Sequence, residues 1–262
     1  RYMCSKSPFL DFWTKNGALR IFVFFKNIYK IMRKQSKKTS REDNQEKSAP
    51  KSNGSKFHLE FLHPSQKMAW SGFQQHDVLF LIGPAGCGKT HLATAFAINE
   101  VLQRRKDKIV LTRPIVEAGE SLGYLPGDLQ EKVNPYMMPL YDCMKKLGGD
   151  NPAQKEIINA AVEVAPLAYM RGRTFDDSVC IFDEAQNATK AQLKLFLTRF
   201  GKNSKVIITG DPFQSDLNLP DVPLVDVMRR LETLPGIGIV VFKKDAIVRH
   251  SLVSSILERL EE

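Results

Sequence analysis

Residues 78–90 read VLFLIGPAGCGKT, from Val78 to Thr90. The apolar run Val78 to Ile82 has no polar alternation and is short. It therefore predicts a strand buried on both faces. Gly83-Pro84-Ala85-Gly86-Cys87-Gly88-Lys89-Thr90 then matches G-x-x-x-x-G-K-[ST], and helical spacing continues to about Gln103. Strand, glycine loop and helix in that order make a cradle for phosphate. The glycines let backbone N–H groups turn toward one point, where the helix N-terminus adds partial positive charge. Lys89 is expected to reach the terminal phosphates of a nucleotide, and Thr90 to place its hydroxyl on Mg²⁺. Cys87, inside the loop, is read as a space-filling residue in preference to a redox switch.

Further apolar runs follow at Ile109–Thr112, Val179–Phe182, Val206–Thr209 and Ile237–Phe242. Helical patterns run over 190–200 and 222–231, and a closing helix is expected from about Ser251 to Leu260. Near-continuous apolar strands alternating with helices predict an α/β fold, a doubly wound parallel sheet. Residues 117–173 show no strong strand and are rich in Pro, Gly and amphipathic pieces. They are expected to form a mostly helical insertion.

In such sheets ligands bind at the carboxyl ends of the strands. Val179 to Phe182 delivers Asp183 and Glu184 to that end. Asp183 is expected to hold Mg²⁺, and Glu184 to accept a proton from the attacking water. Gln214, in Thr209-Gly210-Asp211-Pro212-Phe213-Gln214, is placed to sense a γ-phosphate if its strand lies between the first and third. Arg249, just before the closing helix, is a cation suited to the charge of a transferred phosphoryl group. His250 beside it is read as structural. Gln66, in His63-Pro64-Ser65-Gln66, could pair with adenine N6 and N7 or be a surface residue. Arg171 and Arg173 fit either a phosphate or inter-subunit contact, or a solvated loop.

The chain has 262 residues, 43% of them hydrophobic and 26% charged, which is enough to bury a core. Its net charge of +9 is unevenly spread: 14 of the 38 Lys and Arg, but only 4 of the 29 Asp and Glu, fall in residues 1–56. The remaining 24 basic and 25 acidic residues leave residues 57–262 at −1, with no general field for a polyanion. The local clusters Arg104-Arg105-Lys106 and Lys145-Lys146 read as solvated helix ends. Residues 1–56 form a basic segment. Its stretch from Arg33 to Lys56 has too few large apolar side chains to offset ordering entropy and is expected to be disordered, a linker in preference to a nucleic-acid arm. The chain begins at Arg1, and Met32 would serve as a start, leaving 1–31 upstream of it. The four cysteines have no CxxC spacing, which fits a reducing, cytoplasmic setting. No apolar run reaches the roughly 20 residues of a membrane span.

The motifs GPAGCGKT (83–90), LTRPIVEAGESLGYLPGD (111–128), DEAQNAT (183–189), TGDPFQSDL (209–217) and VVFKKDAIVRHSLV (240–253) occur in this order. Together they resemble the PhoH-like, phosphate-starvation-inducible ATPases, over residues 57–262. That family is similar to the motor core of superfamily 1 helicases. The resemblance implies a P-loop NTPase core that binds and hydrolyses ATP with Mg²⁺. Gly83 to Thr90 would be the nucleotide loop, and Asp183 with Glu184 the metal and catalytic carboxylates. It implies a homo-oligomer, a hexameric ring in the family's pattern, and work on RNA or single-stranded nucleic acid. Thr112-Arg113-Pro114 matches the place where helicase-like relatives touch nucleic acid. A second reading is a nucleotide-dependent assembly or stress module without nucleic-acid activity. A small-molecule kinase is disfavoured, because Glu184 would activate water.

Overall fold

The computed structural model describes residues 57, 59–115, 129–216, 222–248 and 259. They build a six-stranded sheet in which every pairing is parallel: β1 (Val78–Ile82), β2 (Lys108–Thr112), β3 (Val162–Val164), β4 (Ser178–Phe182), β5 (Lys205–Gly210) and β6 (Ile237–Val241). The spatial order is β3-β2-β4-β5-β1-β6. Chain order and spatial order part company at β1. The chain leaves β1 for β2, past β5 and β4, and later returns beyond β1 to reach β6. That reversal opens a crevice above the carboxyl ends of β1, β5 and β4.

β1 is buried at all five positions, as is β4. The reason is a layer of helices on each face. On one face Leu79, Leu81, Ile109, Leu111, Val179, Ile181 and Ile207 share a core with α1 (Pro64–Gln75), α2 (Lys89–Leu102), α3 (Leu129–Leu147) and α4 (Pro152–Ala161). Trp70, Phe73 and Phe96 cluster there, with ring centroids 5.1–5.8 Å apart. On the other face Phe182 packs on Phe196 of α5 (Lys190–Leu197), centroids 4.8 Å apart, and Leu193, Leu224 and Met228 are buried, the latter two from α6 (Pro223–Leu231). Helix ends follow local chemistry. Asn151 Oδ1 accepts the Ala153 N–H at the start of α4, and Thr189 with Gln192 forms a capping box on α5.

The insertion is mostly helical, as α3, α4 and a 3₁₀ turn at Leu167–Met170 show. It also contains β3, which the sequence pattern does not reveal. Val-Glu-Val is three half-buried residues at a sheet edge. It is too short for a period, and its central Glu163 forms an ion pair with Arg173. The closing helix expected over 251–260 lies outside the described residues except for Arg259, which is helical and exposed. Among the described residues no helix is long and apolar enough to cross a membrane.

Candidate functional site

Strand register brings the site together. Ile82 pairs with Gly210 and Phe182 with Ile208, so Gly83, Asp183 and Asp211 leave the sheet at nearly one level. The loop after β1 needs its glycines: Gly83 has φ +154°, and a Cβ there would lie 2.6 Å from the Phe242 carbonyl oxygen. Gly86 and Gly88 also have positive φ, at +88° and +85°. The backbone N–H of Val248 donates to Gly86 O at 3.0 Å, so the segment after β6 lies against the loop.

Lys89, 9% exposed, curls back over this loop and donates to Gly83 O at 2.6 Å and Pro84 O at 2.9 Å. Its ammonium is thereby held against the loop backbone by two carbonyls. Cys87 is fully buried beneath, its Sγ 4.0 Å from Lys89 Nζ, and burial pushes its thiol pKa up. A space-filling thiol fits that environment. Thr90, the second residue of α2, donates its hydroxyl to Asp183 Oδ1 at 2.7 Å, and Thr209 of β5 donates to the same oxygen at 2.5 Å.

Asp183 is 2% exposed. Burial raises its pKa above the ordinary carboxylate value; the Thr209 and Thr90 hydroxyls and Arg113 oppose this, and Glu184 adds to it. Asp211, 3% exposed, is also raised by burial, against the Phe213 N–H, Lys89 and the Ala85 backbone. A carboxylate whose folded pKa is raised destabilises the fold above that pKa and contributes nothing once pH falls below the unfolded value. Between those two values, stability therefore falls as pH rises. Asp183→Asn keeps an oxygen for both hydroxyls and removes the charge. It is expected to raise the melting temperature of the nucleotide-free protein at pH 7 by about 2–4 °C, the shift about 1 kcal/mol produces in a domain of this size. Calorimetry checks this, and an unchanged or lower value would contradict it.

Glu184 stands at the end of β4 with φ +52°. Its side chain is 36% exposed, with Arg113 3.7 Å from Oε1 and the Gln186 amide 2.5 Å from Oε2. Gln214 lies on the turn after β5, its N–H bonded to Asp211 O at 3.0 Å, but its side chain is exposed. The polar residue that the turn buries is Asp211. Gln66 is 5% exposed; its Oε1 accepts the Leu62 N–H at 2.7 Å, and its Nε2 faces Gly88, 3.6 Å from where a Cβ would stand. It is not a surface residue. Arg249 and His250 lie outside the described residues.

Some basic residues are structural. Arg173 pairs with Glu163, and its guanidinium lies 4.7 Å from the Phe175 ring centroid, while Arg171 is exposed. The cluster read as a solvated helix end is in part buried. Lys106 is 7% exposed and donates to Asn203 O and Oδ1, and Arg105 pairs with Glu100 at 2.8 Å. Both sit at the amino end of β2, away from the site. Thr209, Asp211 and Gln186 escape sequence reasoning although all three lie within the motifs quoted above.

A buried parallel sheet, a lysine-bearing glycine loop after β1, and an aspartate bonded across the crevice to the threonine that follows the lysine define a P-loop NTPase fold. The sequence model described as PhoH-like protein matches residues 58–261, and this chain belongs to that family. It is 47% identical over 193 residues to a PhoH-like protein of Bacillus subtilis (strain 168), covering 73% of this chain and 60% of that one. It is 45% identical over 184 residues to Protein PhoH of Escherichia coli (strain K12), covering 68% of this chain and 51% of that one. The chain thus spans about half to three fifths of the length of these relatives. Among solved structures it is similar to the large terminase of a thermophilic bacteriophage, with a TM-score of 0.49 and 12% identity over 75% of this chain and 50% of that one. It is also similar to Pif1 helicase from Candida albicans, with a TM-score of 0.41 and 15% identity over 78% and 44%.

Proposed function

We propose that the protein binds ATP with Mg²⁺ and hydrolyses it, and that hydrolysis drives remodelling of RNA or single-stranded nucleic acid. The observation that carries the ATPase reading is the contact between the Thr90 hydroxyl and Asp183 Oδ1 at 2.7 Å, beside the buried Lys89. Two hard oxygen donors at that spacing fit a magnesium ion, which prefers oxygen ligands and keeps waters and phosphate oxygens in its remaining positions. Thr90 and Asp183 would hold it, and its charge would offset that of the β- and γ-phosphates.

Gly83 to Gly88 would wrap the phosphates with backbone N–H groups, and Lys89 would neutralise them from one side. Gln66, with its oxygen committed to Leu62, would offer its Nε2 to the adenine. Glu184 would take the proton from a water whose oxygen attacks the γ-phosphorus. The bond from that phosphorus to the bridging oxygen breaks, and ADP and inorganic phosphate leave. Gln214 would sense the γ-phosphate, and Arg249 would stabilise charge on the transferred group, in its own site or in a neighbour's. A head-to-tail ring, hexameric as the family resemblance implies, would close the open side of each site.

Arg113 and Phe213 support the nucleic-acid part of the reading. Arg113 has a quarter of its side chain exposed and Phe213 half of its surface, both at the carboxyl end of the sheet. These residue types engage phosphodiesters and stacked bases. ATP turnover by the purified chain should rise several-fold with RNA or single-stranded DNA. Turnover indifferent to RNA, single-stranded DNA and duplex would select the assembly reading instead.

A further inference from the structure

Gln186 spans the gap between two loops. It is 3% exposed and lies two residues past Glu184. Its Nε2 donates to Glu184 Oε2 at 2.5 Å, and its Oε1 accepts the Asp211 N–H at 3.0 Å. Chemistry forces that orientation: a backbone N–H requires an acceptor and a carboxylate requires a donor, and only one setting of the amide serves both. The Gln186 carbonyl also accepts the Ser215 hydroxyl at 3.0 Å. Asn187 continues the seam, donating to Asp216 Oδ2 at 2.7 Å and accepting the Asp216 N–H at 2.8 Å. The loop after β4, which carries Glu184, and the turn after β5, which carries Gln214, are therefore stitched into one unit.

Glu184 needs such a hold. A carboxylate that is 36% exposed and free to rotate would spend little of its time aimed at one water. Its backbone, at φ +52°, is in a region that is unfavourable for a side-chain-bearing residue by about 1 kcal/mol. The neighbours must therefore over-determine its position.

We propose that Gln186 is the positioning residue for Glu184. Its amide aims the carboxylate at the attacking water and ties that aim to the 211–216 turn. A shift of the turn on meeting the γ-phosphate then re-aims the base. This role rests on the reading of Glu184 as the base.

A double-mutant cycle tests it. Gln186→Glu keeps an acceptor for the Asp211 N–H and sets a second carboxylate against Glu184. It is expected to lower kcat for ATP by about 10- to 100-fold, leave the nucleotide Kd within about twofold, and lower the melting temperature by about 2–4 °C. Adding Glu184→Gln exchanges donor and acceptor across the same contact, so the pair should regain at least half of the lost melting temperature while remaining inactive. The proposal is overturned by a Gln186→Glu kcat within twofold of the parent. It is overturned equally by kcat and nucleotide affinity falling by one common factor, or by melting shifts that simply add. Should Gln186→Glu fail to fold, Gln186→Asn, whose amide stops one methylene short of Glu184, carries the same expectation for kcat and Kd. A parent chain with no ATP turnover sinks the proposed function and the positioning role with it. The exchange in melting temperature still measures the contact itself.

Discussion

Glu184→Gln is expected to lower ATP turnover by about two to four orders of magnitude, the usual contribution of general-base catalysis, while ATP binds as tightly as before. The reason is what an amide cannot do. Glutamine has nearly the same shape, and at the end of β4 it would occupy the same left-handed position. It cannot accept the proton of the attacking water. The phosphate loop, Lys89, Thr90 and Asp183 would be untouched, so the groups proposed to bind the nucleotide remain. Single-turnover kinetics with a separate measurement of ATP affinity check both halves. Turnover at the parent rate would assign the base elsewhere. Loss of binding along with turnover would mean that the variant has disturbed the loop. Mixed with Arg249→Ala protein, the same variant locates the arginine: activity recovered in mixed assemblies places Arg249 across a subunit boundary, and none recovered keeps it within its own chain.

Lys89→Ala is expected to weaken ATP binding about 10- to 100-fold, the worth of a charged hydrogen-bond partner at about 1.5–3 kcal/mol. Two of the ammonium's protons already go to Gly83 O and Pro84 O. The lysine is therefore ordered before any phosphate arrives, and little conformational entropy remains to be lost on binding. Its removal also takes from Asp211 the Lys89 charge that favours its ionised form, while the incoming phosphates are themselves anionic. Lys89→Arg should not restore affinity, since a planar guanidinium cannot reproduce one compact ammonium bridging two carbonyls of a tight loop. Isothermal titration with ATP and Mg²⁺ reads the effect. An unchanged Kd for Lys89→Ala would remove Lys89 from the phosphate site.

The chemistry of the phosphate loop lies in eight consecutive residues between an apolar strand and a helix. Contiguous residues carry their geometry with them, and so Gly83 to Thr90 are legible from the sequence alone. Asp183 and Glu184 are legible for a related reason, because a buried run ending in two carboxylates delivers both to the carboxyl end of the sheet, where ligands bind. Strand order is not local, and it decides the rest. Only the placement of β5 between β4 and β1 sets Thr209 on Asp183 and buries Asp211 in the crevice, where the sequence pattern singles out Gln214. The same placement turns Gln186, which looks like a polar residue after an acid pair, into a bridge between two loops. β3 is invisible because three residues hold no period and borrow their hydrogen bonds from β2. Lys106 looks like a solvated end because its partner, Asn203, is 97 residues away in the chain. Sequence determines what a segment can do with its own neighbours. Burial, and the partners that make burial tolerable for a charged or polar group, belong to the packed whole.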